Sequence, residues 1–389
     1  MRLFTIFLLS LFSFQVTAQK LSEQAQISVL TVGPGTSLND AFGHSAFRIK
    51  DKTNGLDVVY GYGEYDFDAP NFYLKFAQGK LNYLISKTDF NLFYSAYRYY
   101  NRRVDEQILN LNIAQKQALY NTLVENYKPE NRKYLYDFFF DNCATKIKDV
   151  LDRASENTVK YSLPSNYNPS TFRTLIQENL TKNSWGSLGI DIALGAVIDQ
   201  YATPEQHMFL PKNIYRFFNV ARIENTPLVK RKHTIYEPSQ TRTRTQFLYS
   251  PIFILGLLSI FILVITYIDF TTHKRTRVLD STLFFITGLA GLIVLLLWFA
   301  TDHGATKNNY NLLWANPINL MLCVVFFKRI IGSWITRYLK FLVLLLCLMV
   351  FHWVTKVQVF AVGLIPLLIA LGVRYLFLIH HFSNNTTAP

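Results

Sequence analysis

The hydropathy of the chain changes abruptly near residue 249. Five apolar stretches follow this point, at residues 249–268, 278–300, 312–327, 339–354 and 357–378. A helix needs about 20 apolar residues to cross a bilayer, so each stretch is near spanning length, and the third and fourth are marginal. We therefore predict an all-α transmembrane bundle of about five helices over residues 249–380.

Residues 19–236 have a different pattern, in which short alternating segments are interleaved with segments of helical period. Alternation predicts strands, and a period of 3.6 residues predicts helices. Strands are predicted at 26–32, 41–50, 58–62, 81–87 and 104–111, and helices at 71–78, 91–99, 114–127, 143–154, 171–180 and 190–200. This pattern predicts an α+β domain, which a polar linker at 237–248 joins to the bundle.

The first 18 residues have the pattern of a secretory signal peptide. Arg2 precedes an apolar core, and small residues end at Ala18, after which we expect cleavage. A retained N-terminal anchor is the alternative. Basic residues fill the loops after the first and third apolar stretches, which predicts that these loops are cytoplasmic. Residues 19–236, the 302–317 loop and the turn at Lys356 are then predicted to lie together on the outer side.

Composition supports two unlike regions. Half of the 389 residues are hydrophobic and 17% are charged, which is too apolar for one soluble domain and too polar for a bundle alone. The net charge of +13 is spread along the chain, and nothing resembles a nucleic-acid-binding module, so no nucleic-acid partner is expected. The basic residues at 230–232, with Arg242 and Arg244, either attract lipid phosphates or form a solvated linker.

Cys143 is the one cysteine of the N-terminal domain, because the other two lie in the apolar stretches. A single thiol in an oxidising compartment is either a small buried hydrophobe or a reactive group. Cys143 begins a predicted helix, where Asp141 or Asn142 can cap and Lys146 adds positive charge. Free amides and the helix dipole favour a thiolate at such a position.

A nucleophilic thiol needs a base within hydrogen-bonding reach. The histidines of the N-terminal domain are His44, His207 and His233. His44 is the strongest candidate, because it lies in a predicted strand and Gly43 beside it leaves room for close approach. A structural histidine is the alternative reading.

Several short motifs occur in a fixed order along the chain. They are Gly33-Pro34-Gly35, Phe42-Gly43-His44-Ser45, Tyr60-Gly61-Tyr62-Gly63, Asp66-Phe67-Asp68, Asp141-Asn142-Cys143-Ala144-Thr145, Met208-Phe209-Leu210-Pro211 and Asn311-Leu312-Leu313-Trp314-Ala315-Asn316-Pro317. Together with the domain order, these motifs resemble the Bacteroides-type lipoprotein N-acyltransferases (Lnb). Histidine before cysteine is also similar to the permuted papain-like fold of NlpC and lecithin-retinol acyltransferase relatives, in which a helix-start cysteine faces a histidine on the sheet.

The resemblance implies acyl transfer at the outer face of the bacterial inner membrane, with the catalytic domain in the periplasm. Cys143 would take an acyl chain from a membrane phospholipid as a thioester and pass it to the lipidated N-terminal cysteine of diacylated lipoproteins. His44 would act first as base and then as acid. No cofactor or metal is predicted, since the N-terminal domain has no pair of histidines or cysteines at ligand spacing.

The residue that orients the imidazole is open at this stage. The acidic candidates are Asp40, Glu64, Asp66 and Asp141. We favour Asp66. The amide of Cys143 is expected to contribute to an oxyanion hole, with Tyr136 as a possible second donor. Asp302 and His303, in the outer loop, either line the lipid access path or are solvated.

Two other classes of function stay open from the residues alone. A thiol hydrolase, either a phospholipase or a cell-wall peptidase, would use the same thiol and base and release the acyl group to water. In a non-enzymatic envelope protein, Cys143 and His44 would be core residues only.

Overall fold

A computed structural model describes residues 19–239, 247–328 and 331–385. It contains an α+β domain followed by a helical region with long apolar helices, so the predicted fold class is confirmed. The predicted signal peptide lies outside the described residues, as do Arg242 and Arg244.

The N-terminal domain is built on an antiparallel sheet. The strands of the domain are β1 (Gln26–Val32), β2 (His44–Asp51), β3 (Leu56–Tyr65), β4 (Asn82–Asp89), β5 (Val104–Leu109), β6 (Lys133–Leu135), β7 (Val159–Lys160), β8 (Arg222–Ile223), β9 (Thr226–Pro227) and β10 (Val229–Tyr236). Within the described residues, the main sheet has the order β10-β5-β1-β2-β3-β4-β6, and β7, β8 and β9 form a small second sheet.

Helices cover both faces of the main sheet. The helices of this domain are α1 (Phe72–Gln78), α2 (Phe90–Tyr99), α3 (Ile113–Tyr127), α4 (Cys143–Ala154), α5 (Phe172–Gln177), α6 (Trp185–Ala193) and α7 (Pro211–Phe218). Phe47 and Ile49 of β2 belong to the core with α3 and α4, whereas Ala46 packs with Phe93 of α2 on the opposite face. This alternation places the strand between two apolar layers.

Several predicted element limits are wrong, and each difference has a physical cause. Strand β2 begins at His44 rather than at residue 41, because Gly43 has a φ of 83° and turns the chain just before it. The helix predicted at 190–200 is α6, which starts earlier and ends at Ala193. Gly195 then passes so close to the carbonyl of Lys307 that a side chain would not fit.

The basic segment at 230–232 is part of strand β10, which sequence analysis missed. This strand pairs with β5 at the edge of the main sheet, and most of its residues are exposed. An edge strand pairs its backbone with one neighbour only, and its side chains do not have to be buried. A charged sequence is therefore compatible with this position. Hydropathy alternation therefore did not reveal the strand.

The C-terminal region contains four long apolar helices within the described residues. They are α8 (Pro251–Thr271), α9 (Arg277–Phe299), α11 (Trp334–Val354) and α12 (Ile365–Asn385), and each is long and apolar enough to cross a membrane. The short helix α10 (Ile318–Leu322) lies between α9 and α11. The prediction of about five spans holds if the bent region that contains α10 is counted as one membrane span.

The third apolar stretch is not a continuous helix, contrary to its sequence-based assignment. The segments Gly304–Leu313 and Ile318–Phe327 are bent by 46° at a break that contains Pro317. Gly288 and Gly291 of α9 let this backbone approach closely, since a Cβ on either would overlap its main-chain atoms. The main chain around the break packs closely against α9, and this contact stabilises the bent conformation.

The outer loops lie against the N-terminal domain, as predicted. The Nδ2 of Asn309 donates to the carbonyls of Ile192 and Ala193 at 2.8 and 3.0 Å. The amide of Val359, just after the Lys356 turn, donates to Asp199 at 3.3 Å. These bonds connect α6 and the turn that follows it to the loops of the helical region.

Candidate active site

Helix α4 begins at Cys143 because Asn142 caps it. The backbone of Asn142 is extended, and its Oδ1 accepts hydrogen bonds from the amides of Ala144 and Thr145 at 2.7 and 3.0 Å. Its Nδ2 donates to two loop carbonyls at 2.6 and 2.9 Å, and the residue is buried. The cap therefore also anchors the helix start to its surroundings, which restricts where the thiol can lie.

His44 is the first residue of β2 and is partly buried. Its ring lies over Gly61 of the neighbouring strand β3, where a Cβ would be 3.1 Å from the imidazole Nε2. Gly63 lies two residues further along β3 and has a φ of 96°. A Cβ at this position would be 3.9 Å from the Cβ of Cys143. Two glycines of the same strand thus leave the space that the imidazole and the thiol occupy.

Cys143 and His44 line one cavity of about 470 Å³. Ligand pockets commonly have volumes of roughly 300–1,000 Å³. Phe42, Leu81 and Phe138 contribute apolar wall, and residues 302–305 of the outer loop form another part of it. The cavity is therefore shared between the N-terminal domain and the membrane region.

The outer loop is tied to helix α1 at this wall. The amide of Asp302 donates to the carbonyl of Gln78 at 2.8 Å, and Nε2 of His303 is 3.1 Å from the carbonyl oxygen of Phe76. Both loop residues thus line the cavity, and Asp302 is also exposed; their part in lipid access stays a prediction.

The thiol and the imidazole are both held in their neutral forms. Burial raises the pKa of Cys143 to about 11, although the amides of Ser45, Cys143 and Ala144 and the charge of Arg102 act in the opposite direction. Burial and then Arg102 lower the pKa of His44 to about 4. The expected preference for a thiolate is therefore wrong, because desolvation outweighs the helix-start amides.

A neutral thiol beside a neutral imidazole is suited to general-base catalysis. The imidazole can take the proton of the thiol as sulfur attacks, so no ion pair has to exist beforehand. The amide of Cys143 is also available to a developing oxyanion, whereas that of Ala144 already donates to Oδ1 of Asn142.

The structure does not bring Asp66 to this pair. Asp66 follows the end of β3, where its carboxylate pairs with Lys133 of the edge strand β6 at 2.9 Å, and it is absent from the described walls of both cavities. Asp141 pairs with Lys146 at 2.6 Å. Asp40 and Glu64 instead line a second cavity together with His44.

The second cavity, of about 490 Å³, adjoins the first at His44, Tyr62 and Gly63. Arg102 lines it, and sequence analysis missed this residue. Arg102 precedes β5 in a polar segment without a motif, so its burial next to the active site follows from tertiary packing. Among the residues that the structure describes, no group of three or more His, Cys, Asp or Glu side chains is placed to hold a metal ion.

Two tyrosines lie near the thiol. Tyr136 lines the first cavity and stacks on Tyr83 with ring centroids 4.2 Å apart. Burial raises its pKa well above the usual range, so its hydroxyl keeps the proton that an oxyanion donor needs. The hydroxyl of Tyr134 is buried and has no hydrogen-bond partner within residues 19–239, 247–328 and 331–385. Tyr134 was not among the sequence candidates.

Comparison with protein families matches both parts of the chain. The model of the Lnb N-terminal periplasmic domain matches residues 14–178, and that of the Lnb transmembrane domain matches residues 242–385. Comparison with curated proteins and with solved structures found no match. The likeness to a permuted papain-like fold stays a prediction. Both family models occur in the expected order, so the chain belongs to the Lnb family, as a membrane protein with an N-terminal periplasmic domain.

Proposed function

We propose that the protein is a lipoprotein N-acyltransferase of the inner membrane, with membrane phospholipid as acyl donor and diacylated lipoproteins as acceptors. The observation that carries the proposal is the shared cavity, in which Cys143 and His44 lie beside a wall from the membrane region. Both substrates are anchored in lipid, so a nucleophile placed there meets them at high effective concentration. Membership of the Lnb family supports lipoprotein N-acylation.

The first half of the reaction forms a thioester. His44 accepts the proton from Sγ of Cys143 while sulfur attacks the ester carbonyl of the phospholipid. The amide of Cys143 stabilises the negative oxygen of the tetrahedral intermediate. The ester C–O bond then breaks, and the imidazolium returns its proton to the leaving alkoxide, which departs as a lysophospholipid.

The second half transfers the acyl group to nitrogen. The free α-amine of the lipoprotein's N-terminal cysteine attacks the thioester carbonyl, and His44 takes a proton from the attacking amine. The C–S bond breaks and the thiol is regenerated with that proton. The products are an amide-linked acyl chain and the original enzyme, so the cycle needs no oxidant or cofactor.

The test is mass spectrometry of lipoprotein N-termini from cells that lack their own N-acylation step. The cells express the intact chain, a Cys143→Ala variant or a Cys347→Ala variant, at equal membrane abundance. Cys347 lies on the apolar helix α11 and is exposed, so its removal is the matched control. We expect one added acyl group with the intact chain and the control, and none with Cys143→Ala.

The alternative functions give different products. If lipoproteins stay unchanged while free fatty acid and lysophospholipid rise only when Cys143 is present, the enzyme is a thiol hydrolase. If no product depends on Cys143 although the variants fold normally, the proposal is refuted. A hydrolase outcome would leave the roles of Cys143 and His44 intact and change only the acceptor.

A further inference from the structure

The second cavity contains a buried cation that is only partly paired. Arg102 is 8% exposed, its Nε donates to the carbonyl of Gly33 at 3.0 Å, and its Nη1 lies 3.8 Å from Asp40 Oδ2. Its Nη2 is buried and has no hydrogen-bond partner among the described residues. An unpaired N–H group of a buried charge costs free energy, so a polar partner at this position would be strongly favoured.

The surroundings of Arg102 hold the guanidinium in place. Its Cζ lies 5.0 Å from the ring centroid of Tyr97, on helix α2. Asp40, the carboxylate that pairs with it, also accepts a hydrogen bond from the amide of Ser37 at 2.9 Å. A fixed guanidinium is planar, so its free N–H groups can donate hydrogen bonds to the oxygens of a phosphate. It is also less strongly hydrated than an ammonium group.

The position of Arg102 relates this anion site to the reacting groups. Its charge acts on both His44 and Cys143, and the two cavities meet at the imidazole. In a glycerophospholipid, the phosphodiester is only a few covalent bonds away from the glycerol esters. A donor ester at Sγ would therefore place its phosphate in the neighbouring space. The reacting end of the acceptor is an amine, which a buried arginine repels when the amine is protonated.

We propose that Arg102 binds the phosphodiester of the phospholipid donor in the second cavity and so places a glycerol ester against Cys143. The apolar first cavity then takes the acyl chain, and the imidazole lies between the two parts of the donor. This inference rests on the proposed function and deepens it, because it names the group by which the donor is recognised.

The experiment compares two donors that differ in the phosphate. Full-length protein in detergent is given phosphatidylglycerol or diacylglycerol with the same acyl chains, and acylation of Cys143 is followed by intact-protein mass. We expect the unsubstituted protein to prefer phosphatidylglycerol by tenfold or more in the rate of acylation. Arg102→Gln should bring this preference close to one, because both donors then lack the charged partner.

Arg103→Gln is the matched control. Arg103 is 44% exposed and pairs with Asp105 at 2.7 Å and with Glu237 at 2.6 Å, away from the described cavity walls. This variant should keep the donor preference. Arg102→Lys keeps the charge but loses the guanidinium fork, so an intermediate preference is expected, and it carries the test if Arg102→Gln does not fold. Thermal unfolding of each variant identifies a folding defect.

A further arm distinguishes a lipid headgroup from a free phosphate ion. Inorganic phosphate is added to the diacylglycerol reaction of the unsubstituted protein. No increase in rate is expected, whereas a rate that rises to that of phosphatidylglycerol would show that the site takes free phosphate and would overturn the headgroup assignment. A donor preference that survives in Arg102→Gln, or that is absent from the unsubstituted protein, also overturns it. If neither donor acylates Cys143, the proposed function itself fails.

Discussion

Replacement of Gly61 by alanine tests whether the imidazole of His44 has to lie where the structure places it. The new Cβ would be 3.1 Å from Nε2. Ordinary contacts of this kind are about 3.5–4.0 Å, so the ring has to move by about 0.5 Å. A displacement of about 1 Å can cost on the order of a hundredfold in rate, so half of it should cost about tenfold.

The assay is the rate at which phospholipid acylates Cys143, followed by intact-protein mass, together with the midpoint of thermal unfolding. Gly61→Ala should slow acylation about tenfold while the midpoint changes little, since alanine is not a poorer strand residue than glycine. Gly55→Ala is the control. Gly55 has a φ of 61° and open space around it, so alanine there should cost about 1–2 kcal/mol of stability but leave the rate unchanged.

The two variants should therefore show opposite patterns of stability and rate. If Gly61→Ala acylates Cys143 as fast as the unsubstituted protein, the imidazole does not act from its position over Gly61. If Gly55→Ala slows acylation as much as Gly61→Ala does, a general loss of sheet stability explains both effects. Either result would refute the reasoning.

Three further predictions address the base, the cap and the membrane region. Because the pKa of His44 is lowered to about 4, the imidazole is already neutral at neutral pH; acylation should fall only as the pH drops through about 4, and a midpoint near the usual 6.5 would contradict this. Asn142→Ala should lower the free energy of unfolding by about 1–2 kcal/mol in denaturant titration, and Asn142→Ser, which keeps an acceptor oxygen, should lose less. Gly291→Ala should lower the thermal midpoint in detergent, since its Cβ would overlap the backbone of Ala315, whereas Gly256→Ala meets open space and should not.

Local sequence signals were sufficient for the start of α4 and for the faces of β2. Asn142 before an amphipathic segment marks a helix start, and the alternation after His44 assigns Phe47 and Ala46 to opposite layers. These features depend on neighbours in sequence. They could be predicted because a cap or a strand face is determined within a few residues.

Other features of the candidate site depend on contacts between segments that are far apart in sequence. The protonation states of Cys143 and His44 follow from burial, which hydropathy at the positions themselves does not reveal. Arg102 becomes part of the site because the sheet brings the start of β5 beside β1, whose other neighbour is β2. The partner of Asp66 likewise comes from β6, an edge strand of three residues that has no clear sequence signature.

The wall that residues 302–305 contribute to the cavity of Cys143 and His44 has a consequence for inhibitor discovery. A compound that fills this cavity contacts two regions of the chain at once. Selectivity can therefore be sought at Asp302 and His303 rather than at the thiol, and screening should use the whole protein in a lipid environment.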